Sequence, residues 1–432
     1  MAGAGYGELP KPEDEEKLVF SQPRARAQRG PLYSRTWNRS REDLETAVMQ
    51  LYGLDSRTNH ALILPSGMGA IGALISSVAA GLAGETWTLV HGDELYCEVA
   101  RTVRYVAEAQ SKKMSTCAVD IRDHSRIRSL FAEKGAAIRL FHFEACTNPS
   151  GQLMDFAFLK ELRHLAPHCI FACDNTWLSG ALFNPFEHGA DIVLESMTKY
   201  VSAGRCIGGF VAGASSLMAP VLSWIKAFGV FIGADHCEIF SQGLRTMSTR
   251  MTATSATAEA LAAYLEAHPA VNRVMYPMLS SHPTYALARL YLTRGGPGCI
   301  WFHVSASKKT VMSVLTHSGG PGCRGPECKT SFGAASSRVD PWPLPAPADA
   351  CDWPRAAQGL PGTWIRLAVG HAEALEKTKT AVEVLLTQLC PSATAASTAA
   401  TPTSKEVGIF VKTPGCERAP VIPGVWHVWS GV

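Results

Sequence analysis

Ile170-Phe171-Ala172-Cys173-Asp174-Asn175-Thr176-Trp177, followed by Gly189-Ala190-Asp191-Ile192-Val193-Leu194-Glu195-Ser196-Met197-Thr198-Lys199-Tyr200, is the stretch on which the fold of this chain turns. Two short apolar runs, Cys169–Cys173 and Ile192–Leu194, each end in polar residues: Asp174 and Asn175 after the first, Ser196, Thr198 and Lys199 after the second. Short apolar runs of this kind are consistent with buried strands. The same form occurs upstream, where Ile138–Phe143 is followed by Glu144 and Asn148. In an open parallel sheet, ligands bind outside the carboxyl ends of the strands. Taken singly, an Asp or Ser after a strand is a cap or turn residue and a Lys there is solvated. Three successive strands with such ends point to one pocket.

The alternation extends outward from there. Ala61–Leu64 reads as a strand, followed by Pro-Ser-Gly and a helix-like stretch over Ala70–Leu82; Trp87–Val90 and Ile207–Ala212 are further strand candidates. Upstream, Leu44, Ala47, Val48 and Leu51 recur at helical spacing over Glu42–Tyr52. Alternating β and α elements argue for a largely parallel sheet covered on both faces. After about residue 250 the character changes: an Ala-rich helix is expected over Thr252–His268 and another around Tyr285–Leu292. Gly-Gly-Pro-Gly-Cys, at 295–299 and again at 319–323, reads as a turn, and 339–358, with its prolines, as a loop. Residues 391–404 are all Ala, Ser, Thr or Pro, the composition of a disordered linker. The division expected is an arm over 1–50, an α/β domain over 51–250, a smaller domain over 251–390, and a linker and tail over 391–432.

Bulk properties narrow the function. The 432 residues carry 40 Lys+Arg against 37 Asp+Glu, a net charge of +3, which is too small for a nucleic-acid or membrane footprint. No apolar run approaches the ~18 residues of a membrane span, and the first residues hold no apolar core of a secretory signal. The 13 cysteines are scattered, without a Cys-x-x-Cys, which argues against a disulfide scaffold or a zinc ribbon and fits a reducing compartment. A soluble, cytoplasmic protein without a bound metal is expected.

Gly67-Met68-Gly69-Ala70-Ile71-Gly72 satisfies the dinucleotide fingerprint G-x-G-x-x-G between a strand and a helix, with Asp93 a candidate ribose-binding acid. Small residues packing a helix on a sheet give the same pattern. So does a different phosphate at the helix N-terminus, where unpaired N–H groups favour any anion. Local pattern alone leaves the three open.

The stretch from Asp174 to Tyr200 resembles the lysine region of the trans-sulfuration, or Cys/Met metabolism, family of fold-type-I pyridoxal-phosphate enzymes. Other motifs fall in the family's order: Tyr33-Ser34-Arg35 with Asn38 and Leu44-Glu45, Ser66-Gly67-Met68, Asp93–Tyr96, Glu144–Pro149, Gly243-Leu244-Arg245-Thr246, Ser331-Phe332-Gly333, and Ile365–Gly370. Together they cover roughly residues 30–390. The resemblance implies an α/β fold, with a mostly parallel seven-stranded sheet carrying helices on both faces and a smaller α+β C-terminal domain.

It also implies roles. Lys199 would form the Schiff base with pyridoxal 5'-phosphate and then move the substrate's Cα proton. Asp174 would keep the ring nitrogen protonated. The backbone of Gly67 and Met68, the hydroxyls of Ser196 and Thr198, and Tyr33 with Arg35 from a neighbouring subunit would hold the phosphate. Tyr96 would stack on the ring and serve as a second acid/base, and Asn148 would bond the phenolic oxygen. Arg366, with Ser331 and Asn148, would bind the α-carboxylate of a small amino-acid substrate. A homodimer or homotetramer follows, as does carbon–sulfur cleavage like that of the cystathionine lyases, or γ-replacement on an O-acylhomoserine. Thr330 stands where cystathionine-handling members commonly carry a Glu for the distal amine, Cys97 and Glu98 replace the usual glycines after Tyr96, and Ala368 replaces a serine. Two rival readings are a nicotinamide oxidoreductase built on Gly67–Gly72, which leaves Lys199, Asp174 and Arg366 unexplained, and a catalytically silent homologue.

Overall fold

The computed structural model describes residues 35, 37–110, 113–318, 325–342 and 360–390. Tyr33, most of the expected arm, the second Gly-Gly-Pro-Gly-Cys and the stretch from 391 onward lie outside the described residues. A seven-stranded sheet is built from β1 (Asn59–Leu64), β2 (Trp87–Gly92), β3 (Met114–Val119), β4 (Ile138–Glu144), β5 (Ile170–Asp174), β6 (Ile192–Glu195) and β7 (Gly209–Ala214), in the order β1-β7-β6-β5-β4-β2-β3. The five strands from β3 to β6 pair in parallel; β7 runs antiparallel to both β6 and β1.

Alternation along the strands divides the core between the two faces. Phe141, Phe143, Phe171 and Val193 pack with Ile127 and Phe131 of α4 (His124–Lys134) and Phe156, Leu159 and Leu162 of α5 (Phe156–Leu165). Their neighbours Leu140, Ala172, Ile192, Leu194 and Val211 face the other way. There they meet α2 (Gly67–Gly81), α3 (Cys97–Ala109) and α7 (Ser215–Phe228). A helix over Arg39–Leu51, α1, precedes β1, and a single turn, α6 (Ser179–Leu182), follows β5.

Helix α8 (Ala234–Ala267) leads to a second sheet of β8 (Arg273–Met275), β9 (Cys299–Val304), β10 (Glu327–Cys328), β11 (Arg338–Trp342) and β12 (Thr363–Ala368), ordered β10-β11-β12-β9-β8. One face buries Ile300, Phe302, Ile365 and Leu367 against Leu261 and Leu265 of α8, Val311 of α10 (Lys308–Ser318) and Val382 and Leu385 of α11 (Leu375–Leu389). Helix α9 (Tyr285–Tyr291) packs instead with the first sheet's core. Among the described residues no helix is long and apolar enough to cross a membrane, and no cluster of three or more His, Cys, Asp or Glu side chains is arranged to hold a metal.

The sheet is the mostly parallel α/β architecture that the strand pattern predicts, with four differences in detail. Strand β3 is absent from the sequence expectation because it is an edge strand whose middle residues face solvent, so it lacks an apolar run. The strand read at Ile207–Ala212 begins at Gly209 instead, and Ile207 is 62% exposed. The 339–358 loop is wrong at its start, where Val339 to Trp342 belong to β11. Pro341 is accommodated because it lies past the two residues that pair with β10, on an edge that no strand among the described residues pairs with there, so a missing N–H breaks no ladder bond among them. The helix expected over Thr252–His268 is the second half of α8, so residue 250 lies inside a helix.

A buried polar joint ties α1 to the end of β6. The Tyr52 hydroxyl donates to Glu195 Oε1, Gly180 N–H donates to the same oxygen at 3.0 Å, and Asn175 Nδ2 donates to the Tyr52 oxygen at 3.0 Å. Burial pushes the Glu195 carboxyl up to about 8. A carboxyl held above its unfolded value stabilises the fold below about pH 4.5 and loses that contribution as pH rises towards 8. Glu195→Gln keeps the Oε1 acceptor without the titration. Its stability to urea should therefore decline less steeply over that window than that of the unsubstituted chain, by at most ~1.4 kcal/mol per pH unit. Parallel slopes for the two proteins would contradict this.

Candidate active site

Three parallel strands end side by side at the site. Glu144 of β4 is the register partner of Asp174 of β5, and Asp174 that of Leu194 of β6, one residue from Glu195 and two from Ser196. Both Glu144 and Asp174 are buried, and burial raises each carboxyl, Glu144 well above its ordinary range with Asp174 adding to the rise. Backbone donors hold them in place: Thr176 N–H on Asp174 Oδ1 at 2.8 Å, Tyr96 N–H on Glu144 Oε1 at 2.7 Å, and Asn148 N–H on Glu144 Oε2 at 2.9 Å.

The start of α2 closes on the end of β6. Ser66 caps the helix, its Oγ accepting from Gly69 N–H at 2.9 Å. A Cβ on Gly67 would lie 2.7 Å from Ser196 Cβ, and one on Gly209 would lie 2.6 Å from Gly67 Cα, so only glycine permits this approach. Gly67, Met68 and Ser196 are thereby brought together at a helix N-terminus, where N–H groups and the helix dipole favour an anion. The Thr198 hydroxyl points elsewhere, to Gly208, donating to its carbonyl at 3.2 Å and accepting from its N–H at 3.1 Å. Arg35 is exposed, with its carbonyl accepting from Arg41 Nη1 at 3.1 Å.

Lys199 sits on the loop after β6, pinned from two sides. On one, α8 presses so close that a Cβ on Gly243 would lie 1.8 Å from the Val201 carbonyl oxygen, and Arg250 of α8 donates to the Tyr200 carbonyl at 2.7 Å. On the other, Gly333, at φ +84°, leaves room for the Lys199 carbonyl, which a Cβ would approach to 2.6 Å. The same turn carries Ser331 at φ 77°, a left-handed conformation that costs a non-glycine residue ~1–3 kcal/mol. Lys199 Nζ donates to Ser331 Oγ at 3.0 Å and lies 5.1 Å from the centre of the Phe332 ring. Burial, reinforced by the Arg366 charge, lowers the amine to about 8. A buried amine that loses its proton so readily is a nucleophile and a base near neutral pH.

Arg366, buried in β12, faces this amine with a crowded guanidinium. Nη1 donates to Asn148 Oδ1 at 3.0 Å; Nη2 donates to Thr330 Oγ1 at 3.2 Å and to Asp340 Oδ2 at 3.0 Å; Nε is buried without a partner. Asp340 is the cross-strand register partner of Arg366 on β11. Tyr96 caps α3, and burial raises its phenol, with the Arg366 charge acting in the opposite direction. Lys199, Ser331, Asn148, Arg366, Tyr96, Asp174, Gly67, Met68 and Ser196 are all described, and contacts or register link them across the strand ends. Asp340 and Phe332 escaped the residue list drawn from sequence. Asp340 lay in what reads as a proline-rich loop, so its pairing with Arg366 had no one-dimensional signal; Phe332 was visible only as part of the Ser331–Gly333 motif.

The dinucleotide reading of Gly67–Gly72 fails on topology. A βαβ dinucleotide unit starts from a parallel strand in the sheet interior, whereas β1 is an edge strand antiparallel to β7.

Comparison with known proteins agrees with the geometry. The family described as "Cys/Met metabolism PLP-dependent enzyme" matches residues 15–380. The chain is 31% identical to O-succinylhomoserine sulfhydrylase of Pseudomonas aeruginosa, over 79% of this chain and 80% of that protein. It is 29% identical to cystathionine gamma-lyase of Rattus norvegicus, over 79% and 81%. Its fold superimposes on the crystal structure of cystathionine gamma synthase from Xanthomonas oryzae pv. oryzae with a TM-score of 0.70 at 24% identity, covering 91% of this chain and 92% of that one. With a buried, low-pKa lysine at the end of β6 and a family match over most of its length, the chain belongs to the Cys/Met metabolism family of pyridoxal-phosphate-dependent enzymes.

Proposed function

We propose that this enzyme is a carbon–sulfur lyase that eliminates a sulfur substituent from a small amino acid, with pyridoxal phosphate joined to Lys199. The observation that carries this reading is the Lys199 amine, held at about 8 within 3.0 Å of Ser331 and in the field of Arg366. The donor set fits the cofactor: a buried neutralisable amine for its aldehyde, a glycine cradle at a helix N-terminus for its phosphate, and the Asp174 carboxylate for its ring nitrogen. Bound there, the cofactor supplies a conjugated ring that takes up the electron pair left on Cα.

The chain's own groups do the rest. Gly67 and Met68 N–H and the Ser196 hydroxyl hold the phosphate; Thr198 joins them by releasing the Gly208 carbonyl. Tyr33 and Arg35 reach this site from a neighbouring subunit of a homodimer or homotetramer, working in the cytoplasm. Arg366 anchors the substrate carboxylate through its buried, unpartnered Nε, with Ser331 beside it. Asn148 has its amide oxygen on Arg366, which leaves its NH2 to donate to the cofactor's phenolic oxygen. Lys199, once free, takes the Cα proton and can return it to the departing side, while Tyr96 stacks on the ring and is the second acid/base.

A second reading, γ-replacement on an O-acylhomoserine, draws on two observations. Thr330 and Asp340 both bind Arg366 Nη2, so Thr330 offers no carboxylate to a distal ammonium and Asp340 is already paired. The likeness to the Pseudomonas sulfhydrylase points the same way.

Three measurements test these assignments. Purified enzyme should show a near-visible band that borohydride fixes covalently on the Lys199 peptide; Lys199→Ala should lose the band, the adduct and at least ~10³-fold of kcat. An adduct on another lysine would overturn the assignment. Capture of added pyridoxal phosphate by the apo-protein should accelerate with pH only up to about 8 and then level off; a rate still climbing at pH 10 would mean an unperturbed lysine. Finally, cystathionine, cysteine, methionine and O-succinylhomoserine should be compared for keto-acid and sulfide release. Keto acid formed without an added thiol supports elimination; turnover of the acylhomoserine only with added sulfide supports replacement. Cystathionine is expected to be the poorer substrate beside those without a distal ammonium.

A further inference from the structure

Two loops meet behind the site. One, residues 93–96, ends at Tyr96; the other, residues 147–150, carries Asn148. Each sends a carboxylate into the other. Glu144, at the root of the second loop, accepts Tyr96 N–H through Oε1 at 2.7 Å and Asn148 N–H through Oε2 at 2.9 Å. Glu94, on the first loop, reaches across in the opposite direction. Its Oε1 accepts Ser150 N–H at 2.8 Å and the Thr147 hydroxyl at 2.9 Å.

The receiving turn is itself braced. Thr147 Oγ1 accepts Gln152 N–H at 3.0 Å, and Gly151 N–H donates to the Thr147 carbonyl at 2.9 Å. The His282 ring meets the Ser150 carbonyl at 2.9 Å. From Asn148 the chain of contacts continues through its side-chain oxygen to Arg366 Nη1. Tyr96 and Arg366 lie on elements of different sheets; Glu144 bonds both Tyr96 and Asn148, and Glu94 ties the loop before Tyr96 to the residues flanking Asn148. Three charge-assisted or neutral hydrogen bonds cross between the loops and a fourth, Asn148 N–H to Glu144, is local to the second; together they leave the loops little freedom to slide.

We propose that Glu94 and Glu144 are positioning residues that form a reciprocal clamp, fixing the Tyr96 ring relative to the Asn148–Arg366 anchor. The inference rests on the roles given above to Tyr96 and Arg366, and it adds Glu94, to which no role has been assigned. Glu94 touches neither Asn148's side chain nor Arg366, so its loss alters the chemical step and leaves substrate anchoring in place. Displacing an acid/base group by about 1 Å is enough to cost ~10²-fold.

The test uses holoenzyme and the amino acid turned over fastest among the four above. Glu94→Ala is expected to lower kcat by ~10–100-fold with KM within ~3-fold. Glu94→Gln, which keeps an Oε1 acceptor for Ser150 N–H and the Thr147 hydroxyl, should restore kcat to within ~3-fold of wild type. In a Tyr96→Phe background, Glu94→Ala should cost less than ~3-fold, because both changes act through the same ring. The visible circular dichroism of the bound cofactor should weaken in Glu94→Ala and recover in Glu94→Gln. An undiminished kcat in Glu94→Ala, or an equal loss with and without the Tyr96 hydroxyl, overturns the clamp. A wild type without the visible band, or a Tyr96→Phe enzyme of full activity, overturns the underlying reading instead; in the latter case the dichroism alone decides whether the clamp holds the ring.

Discussion

Burying the Lys199 amine is the constraint around which the rest of the structure is arranged. A lysine taken out of water prefers to be neutral, and Arg366 adds to that preference. To keep the amine dry the chain must bring α8, the Ser331–Gly333 turn and the end of β6 to the same point. Each approach is closer than a side chain permits: Gly243 rests on the Val201 carbonyl and Gly333 on the Lys199 carbonyl. Ser331 accepts a left-handed backbone so that its hydroxyl faces the amine. The glycines and the strained serine come from segments far apart in sequence, which is why burying Lys199 takes elements from both halves of the fold.

The opposite problem arises at the ends of β4 and β5. Glu144 and Asp174 are buried register neighbours, and two carboxylates there cannot both ionise cheaply. The backbone answers by aiming the Tyr96 and Asn148 N–H groups at Glu144 and Thr176 N–H at Asp174. Lys199 further favours the charged form of Asp174. The donors that offset the burial of Glu144 belong to the two loops that frame the site. Electrostatic satisfaction and loop geometry are therefore one arrangement.

Much of this was legible in one dimension, for identifiable reasons. Strands buried on both faces print continuous apolar runs, so β4, β5 and β6 and the polar residues at their ends stand out. The edge strand β3 prints none, and β11 hides behind Pro341. The glycines at 67 and 333 are visible only as motif letters; that they answer to Ser196 and to the Lys199 carbonyl is a fact of distance. Gly67–Gly72 shows the limit of a local pattern: it satisfies the dinucleotide fingerprint, and the antiparallel pairing of β1 at the sheet edge argues against that use. Asp340 had no signal and Glu94 was visible only as a letter of the Asp93–Tyr96 motif, because their partners lie on other strands and loops.

Charge accounting around Arg366 bears on the substrate side of the proposed site. Its guanidinium offers five N–H donors, of which three go to Asn148, Thr330 and Asp340. The Nε hydrogen and the second one on Nη1 remain, on different edges of the guanidinium. Asp340 pairs with this guanidinium at 3.0 Å, while its side chain stays 27% exposed. With Thr330 neutral and Asp340 paired, a second ammonium on the substrate would find no unpaired acid in these contacts. Under the proposed function, a thiol, thioether or ester side chain would meet no such charge mismatch, and selection would work by leaving out a partner for one kind of substrate rather than by building one for another.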